Sequence, residues 1–418
     1  MERTYFVIDL KTFYASVECV MRGLDPFSTN LVVADPTRGG GSICLAVSPA
    51  MKAQGVRNRC RVFEIPKDME YITAMPRMNL YIKFSSEIYA IYLKFVAKED
   101  IHVYSIDEAF LDVTHYLKMY GMTKEELAQK IIDEVRIQTG ITATCGIGTN
   151  MYLAKIALDI LAKHDKTNIA YLNEEIYKER LWKHRPLTDF WQVGRGTVKR
   201  LEANGFYYME DIAKGNEQLL YKLFGINAEY LIDHAWGKEP CTIKQIKNYK
   251  SQSNSVSSGQ VLFEDYPYEK ALLVVKEMVE LTCLDLTSKH LVSSSISLYI
   301  GYSKDAHNPT GGSMKLTNTT NSFHLLLPYF IELFEKTTLK TVPIRKISIS
   351  FNEVIDEMYE QYDLFTDVEE AKKDAKLQKT IVDIKKKYGK GAIIRGMNLE
   401  EGATTIKRHK LVGGHNGG

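Results

Sequence analysis

No stretch of this chain comes near the ~20 consecutive apolar residues that a membrane-spanning helix requires. The short acid-and-base start before the first apolar run is not the leader of a secreted protein either. Cysteine is scarce and scattered. Cys19, Cys44, Cys60, Cys145, Cys241 and Cys283 include no close pair at metal-ligand spacing, which speaks against a zinc ribbon or a disulfide framework and fits a reducing, cytoplasmic compartment. Net charge is nearly absent, +2 over 418 residues, so composition alone does not announce nucleic acid and local patches must carry that argument. There are no internal repeats and no low-complexity segments of note. What the chain does have is 45% hydrophobic content, enough for more than one packed core.

The most informative stretch is Val103-Tyr104-Ser105-Ile106-Asp107-Glu108-Ala109-Phe110-Leu111-Asp112-Val113. Two apolar, β-prone runs flank an Asp-Glu pair, which places the acids at the bend of a tight hairpin. Packing explains such a pair poorly, because burying two like charges side by side is costly; a divalent cation removes the conflict. A second apolar run, Tyr5–Ile8, stops at Asp9. If these strands are neighbours, Asp9, Asp107 and Glu108 form an all-oxygen site of the kind Mg²⁺ takes when its substrate is a phosphate. A solvated acidic turn is the plain alternative.

Thr12 is placed to cap a helix carrying Phe13, Tyr14, Val17, Val20 and Met21. Strands are expected at Asn30–Ala34, at Ile43–Val47 and before Pro66, with a short helix through Lys52 opened by Ser48-Pro49. The aromatic stripe between Asn79 and Val96 reads as core. Gly146-Ile147-Gly148-Thr149-Asn150 leads from a strand into a helix containing Lys155 but lacks the Gly-Lys-Ser/Thr ending of a phosphate loop, so its glycines read as close backbone approach. Lys155 could reach an anion over the sheet edge, although taken alone it reads as a solvated lysine.

Residues from Trp182 to Gly237 read as small helices around a helix–hairpin–helix pattern, Asp189 to Leu201. There Gly194 and Gly196 would offer backbone N–H groups to a phosphate, with Lys199 and Arg200 adding positive charge. From Pro240 to Phe263 there is no Asp or Glu, while Lys244, Lys247 and Lys250 suit a linker lying along a polyanion. A β-α-β-β-α-β order follows from Val256 to Phe351, the split βαβ arrangement, with one helix-packed face and one open face rich in Ser and Lys. Beyond Asn352 strand patterning stops. Gln361-Tyr362-Asp363-Leu364-Phe365 has the look of a short linear docking motif, and Leu377, Ile381, Ile384 and Tyr388 line one face of a lysine-rich helix.

Together, Asp9-Leu10-Lys11-Thr12-Phe13-Tyr14-Ala15-Ser16-Val17-Glu18, Ser105-Ile106-Asp107-Glu108-Ala109-Phe110-Leu111-Asp112 and Gly146–Lys155 resemble the Y-family translesion DNA polymerases, UmuC- and DinB-like. The UvrX-type UV-damage-repair branch of Gram-positive bacteria is the most similar. The resemblance implies an α+β, multidomain right-hand polymerase. Its ferredoxin-like palm would span 1–11 and 79–170, small fingers 12–78, and a helical thumb 171–239. A linker at 240–252, a βαββαβ little finger at 253–352 and a tail at 353–418 complete it. It further implies that Asp9, Asp107 and the Leu10 carbonyl hold two Mg²⁺ ions and that Glu108 is the catalytic acid. Tyr14 would be the steric gate against a ribose 2′-hydroxyl, with Phe13 beneath the sugar and Lys52 and Lys155 on the triphosphate. Ser48-Pro49-Ala50-Met51-Lys52 departs from the family by lacking a Tyr and a Glu often found there. Gln361, Leu364 and Phe365 match a sliding-clamp motif. The implied partners are primer–template DNA, deoxynucleoside triphosphates and the bacterial clamp, for a monomer free of membranes, cytoplasmic and nucleoid-associated when working. The other readings are a palm-fold nucleotide cyclase, which needs neither the helix–hairpin–helix nor the pentapeptide, and a non-catalytic DNA- and clamp-binding accessory, against which the intact acids and Tyr14 argue.

Overall fold

A computed structural model describes residues 2–251, 254–304, 306–358 and 368–418. The chain divides into two compact units, Met1–Tyr249 with His415–Gly418, and Lys250–Gly414. Among the described residues no helix is long and apolar enough to cross a membrane.

The first unit is built on a five-stranded sheet in the order Ile101–Val103, Glu108–Asp112, Tyr5–Leu10, Ala143–Gly148 and Ile169–Leu172. The central strand, fully buried from Tyr5 to Ile8, pairs antiparallel with both neighbours, and its register sets Asp9 directly opposite Glu108. Helices Met78–Tyr92 and Lys124–Thr139 pack together, the second opened by a reciprocal Thr123–Glu126 capping box. The glycines after Cys145 do serve close approach. A Cβ on Gly146 would stand 2.1 Å from the Ala154 carbonyl oxygen, and one on Gly148 would stand 2.2 Å from the Ala154 nitrogen. Strand and following helix therefore touch backbone to backbone. Gly146→Ala is expected to cost at least ~3 kcal/mol, because the intruding methyl meets main chain that cannot rotate away. Thermal melting read by circular dichroism should fall by ~6 °C or more; an unchanged midpoint would refute the zero-clearance contact.

The segment after the first strand departs from expectation in three places. Thr12 precedes the helix Phe13–Val20 with a left-handed backbone (φ 47°) and gives it no side-chain cap; its hydroxyl meets that of Ser16 instead, at 3.1 Å. The strand expected at Ile43–Val47 shortens to Ala46–Val47, with an isolated bridge from Ile43 to Arg61. The strand expected before Pro66 is a 3₁₀ turn, Val62–Glu64; the strand that completes this small sheet is Ile72–Ala74, parallel to Leu31–Val33. Further on lie five short helices between Glu174 and Ala235. Residues 240–249 are not an extended linker throughout. Ile243–Asn248 is a helix capped by Thr242 and Gln245, and buried Ile243 packs against Tyr5, Val7 and Phe110.

The second unit has the expected β-α-β-β-α-β order. Strands run Val256–Tyr266, Leu291–Tyr302, Thr310–Thr320 and Ile344–Asn352, with helices Tyr268–Ser288 and Phe323–Thr337. In the antiparallel sheet Ile344–Asn352 lies between Val256–Tyr266 and Leu291–Tyr302, the split arrangement, and Val256–Tyr266 is an edge. Leu262, Ile296, Leu298, Ile347 and Ile349 face the helices. The other face carries Ser257, Ser297, Ser313, Tyr299 and Lys346, and stays open.

Of the segment read as a tail, the described residues up to Gly414 are part of this unit, whereas His415–Gly418 belong to the first. Helix Val368–Tyr388 packs on Tyr268–Ser288, with Ile381 of the expected apolar face buried and Ile384 half-buried, and with polar groups beside them. Leu377 and Tyr388 are exposed, whereas Gln378 is 1% exposed; it accepts from the Phe323 amide at 2.7 Å and donates to Thr287 at 3.1 Å. Asp374 accepts from Ser322 at 2.7 Å. These bonds serve orphan groups at the start of Phe323–Thr337, which hydrophobic periodicity does not register.

Candidate active site

Because Asp9 and Glu108 are directly opposed on adjacent antiparallel strands, their side chains share one face of the sheet. Asp107 precedes Glu108 in the turn, where its backbone carbonyl accepts from Leu10 N–H at 2.9 Å and its carboxylate from the Ser105 hydroxyl at 2.6 Å. Two lysines face these acids. Lys155 is 6% exposed and donates to Glu108 Oε2 at 2.8 Å; it also lies 3.0 Å from Asp159. Lys163 lies 2.9 Å from Asp159 and 3.6 Å from Asp9. The result is an alternating row, Asp9, Lys163, Asp159, Lys155, Glu108.

Burial pushes the Asp9 carboxyl above its ordinary range, Lys163 opposes the shift and Asp107 adds to it. Burial likewise raises Glu108 against the pull of Lys155. Burial would lower Lys163, yet Asp9 and Asp159 override it and hold its ammonium above the usual lysine value. Burial lowers Lys52, with Asp9 opposing the shift and Lys163 adding to it.

Tyr14 stands at the mouth, partly exposed, its hydroxyl raised by burial and by Asp107 while Arg59 opposes. Its ring stacks on Tyr81 with centroids 4.5 Å apart. Tyr81 is fully buried and its hydroxyl donates to Glu18 at 2.8 Å. Glu18, also fully buried, accepts two bonds from Arg77, at 2.9 and 2.7 Å, and pairs with Arg22. Burial alone would raise its carboxyl; the bonds from Arg77, Arg22 and Tyr81 win and lower it. Phe13 is buried beside Tyr14 and Tyr81.

The fold thus brings Asp9, Leu10, Asp107, Glu108, Phe13, Tyr14, Lys52 and Lys155 into one region. Lys155 is not the solvated lysine it reads as when taken alone: it is buried against Glu108 and Asp159. Sequence reasoning missed Asp159 and Lys163. The signal was present, since Lys155, Asp159 and Lys163 recur every four residues along one face. A π-turn at Ala157–Leu161 interrupts the helix there, a feature common at functional sites.

Among the described residues no three acidic, His or Cys side chains close tightly enough to enclose an ion. The donor set nevertheless suits a hard divalent cation, being all oxygen, although the Lys155 ammonium lies 2.8 Å from both Glu108 oxygens. Elsewhere in the unit, Gly194 caps the helix Arg195–Glu202. A Cβ on Gly194 or Gly196 would meet nothing within 4 Å, so internal packing does not demand glycine there. Lys199 and Lys250 are exposed. Lys247 is engaged with the Lys98 carbonyl and is not a free cation along an extended linker. Gln361, Leu364 and Phe365 lie outside the described residues.

Residues 8–159 match the impB/mucB/samB family and residues 253–364 match the C-terminal domain of the same family. The "Putative UV-damage repair protein UvrX" of Bacillus subtilis (strain 168) is 33% identical across 98% of this chain and 96% of its own length. The chain belongs to the impB/mucB/samB family. DNA polymerase IV 2 of Halalkalibacterium halodurans is 29% identical over 99% of this chain and all of its own length. DNA polymerase IV 2 of Bacillus subtilis (strain 168) is 31% identical over 99% of each. Among solved structures, the Y-family DNA polymerase chimera Dbh-Dpo4(243-245)-Dbh covers 84% of this chain and 99% of its own, with a TM-score of 0.65 at 22% identity. The fold of this impB/mucB/samB protein is that of the Y-family DNA polymerases.

Proposed function

We propose that this protein is a template-directed, error-prone translesion DNA polymerase that adds deoxynucleotides to a primer 3′ end opposite damaged bases. The observation that carries the reading is the register placing Asp9 across from Glu108, with Asp107 in the adjoining turn, at the buried end of a three-strand pairing. Asp9, Asp107, Glu108 and the Leu10 carbonyl would hold two Mg²⁺ ions, which when bound lower the pKa of the primer hydroxyl and neutralise phosphate charge. The side chains do the rest. Lys155 keeps the Glu108 carboxylate oriented. Lys52 and Lys155, joined by Lys163, neutralise charge on the β- and γ-phosphates. Tyr14, backed by Tyr81, fills the space a 2′-hydroxyl would need, and Phe13 supports it. The amides near Gly194 and Gly196, with Lys199 and the open sheet face of the second unit, hold duplex backbone without reading sequence. The palm, fingers, thumb and little-finger boundaries given above are proposed with it.

Primer extension with Mg²⁺ on damaged and undamaged templates tests the proposal; no incorporation on either would overturn it. Lys163→Ala is expected to raise KM for the deoxynucleotide by ~10-fold or more, the worth of one charge-assisted bond. An unchanged KM would leave the triphosphate to Lys52 and Lys155. We also propose that Gln361, Leu364 and Phe365 dock on the sliding clamp, which raises local concentration on DNA. Replacing Leu364 and Phe365 by Ala should weaken clamp capture in a pull-down, and equal capture would retire the assignment.

A further inference from the structure

The segment that follows Tyr388 lies outside both matched family regions, and it is fastened to the second unit by buried polar bonds. Glu277, 1% exposed on the helix Tyr268–Ser288, accepts from Asn398 at 3.0 Å, from the Thr404 amide at 2.7 Å and from the Thr405 amide at 3.2 Å. Arg395 pairs with Glu280 at 3.0 Å. Arg408 donates to Gln260, on the edge strand, at 2.6 Å. A strap held by this many bonds positions its side chains; it does not trail.

What it positions is positive charge. Lys386, Lys387, Lys390, Lys407 and Lys410 are exposed, and none pairs with a carboxylate among the described residues. No Asp or Glu occurs between Lys385 and Leu399, or from Gly402 onward. The two basic runs are brought side by side. Lys385 donates to the Lys390 carbonyl at 3.0 Å, and a Cβ on Gly391 would lie 3.7 Å from the His409 ring. Lys407 reaches the edge strand, its ammonium 5.7 Å from the ring of Phe263. Phe263 is 43% exposed, close to Val261 at 64%, at the margin of the open sheet face. The cations therefore extend that face sideways.

We infer that Lys390, Lys407 and Lys410 form a second phosphate-backbone contact, which lengthens the duplex-binding surface of the second unit beyond its sheet. The inference rests on the polymerase reading above. Unpaired cations on a fixed scaffold suit a polyanion read by charge alone, and each phosphate neutralised releases a condensed counterion. Phe263 and Val261 give the lysine stems apolar surface to lie on, leaving the heads free for phosphate.

The test is full-length protein carrying Lys390→Ala, Lys407→Ala and Lys410→Ala together, titrated with primer–template duplex across a range of salt. The slope of log affinity against log salt should become shallower by ~2–3, with affinity at moderate salt down ~10-fold or more. Extension rate at saturating duplex should be unchanged. A matched variant, Lys373→Ala with Lys376→Ala and Lys379→Ala, removes the same charge from the far half of the helix and should leave the slope as it was. An unaltered slope in the first variant, or an equal loss in the second, overturns the inference. Failure of the wild-type chain to bind duplex or extend primers would instead fault the polymerase reading, so the two failures are distinguishable.

Discussion

Asp107→Ala should reduce primer extension by ~10³-fold or more, equivalent to ~4 kcal/mol of lost transition-state stabilisation, while primer–template affinity stays close to wild type. The choice of residue matters. Glu108 is buried against Lys155, so removing its carboxylate would take away one of the two carboxylates that hold this buried ammonium, leaving only Asp159, and would cost folding stability as well as activity. A dead Glu108 variant could therefore be dead for the wrong reason. Asp107 is partly exposed in a turn, and its only side-chain hydrogen-bond contact described is with Ser105. The fold should not notice its loss, and circular dichroism should confirm an unchanged melt. Extension at the wild-type rate would disprove the assignment of these acids.

Tyr14→Ala should admit ribonucleotides, with discrimination between deoxy- and ribonucleotides falling by ~10²–10³-fold, or ~3–4 kcal/mol. A gate works only if it cannot swing aside. Here the ring is held by its 4.5 Å stack on Tyr81, itself fixed by a carboxylate that two arginines and a hydroxyl keep ionised. Tyr14→Phe keeps the ring and should keep the selectivity. Single-nucleotide incorporation, with each sugar supplied separately, decides the matter. Equal exclusion of ribonucleotides by the Ala variant would remove Tyr14 from this role.

The order of elements was readable because the second unit alternates cleanly between apolar and polar residues, and because strands ending in acids are hard to explain by packing. Asp9, Asp107 and Glu108 stood out for that reason, and Tyr14 came from the resemblance alone. Three things were not readable. The Thr12 cap failed because its backbone is left-handed, a property of the turn it must make rather than of its side chain. The segment after Asn352 was taken for a tail because Gln378, Asn398 and Thr404 dock by hydrogen bonds, and periodicity counts only apolar faces. The partners of Lys155 were not readable because a lone lysine carries no sign of them; Glu108 and Asp159 reach it only through the fold.

The contact at Gly146 and Gly148 leaves no slack between the acid-bearing sheet and the helix that bears the lysines. Spacing between opposite charges is consequently dictated by main chain, not by the reach of flexible side chains. Such a chassis tolerates drift in the residues around it while keeping its electrostatic ruler the same length. Two positions where only a hydrogen atom fits thereby guard the calibration of everything mounted above them.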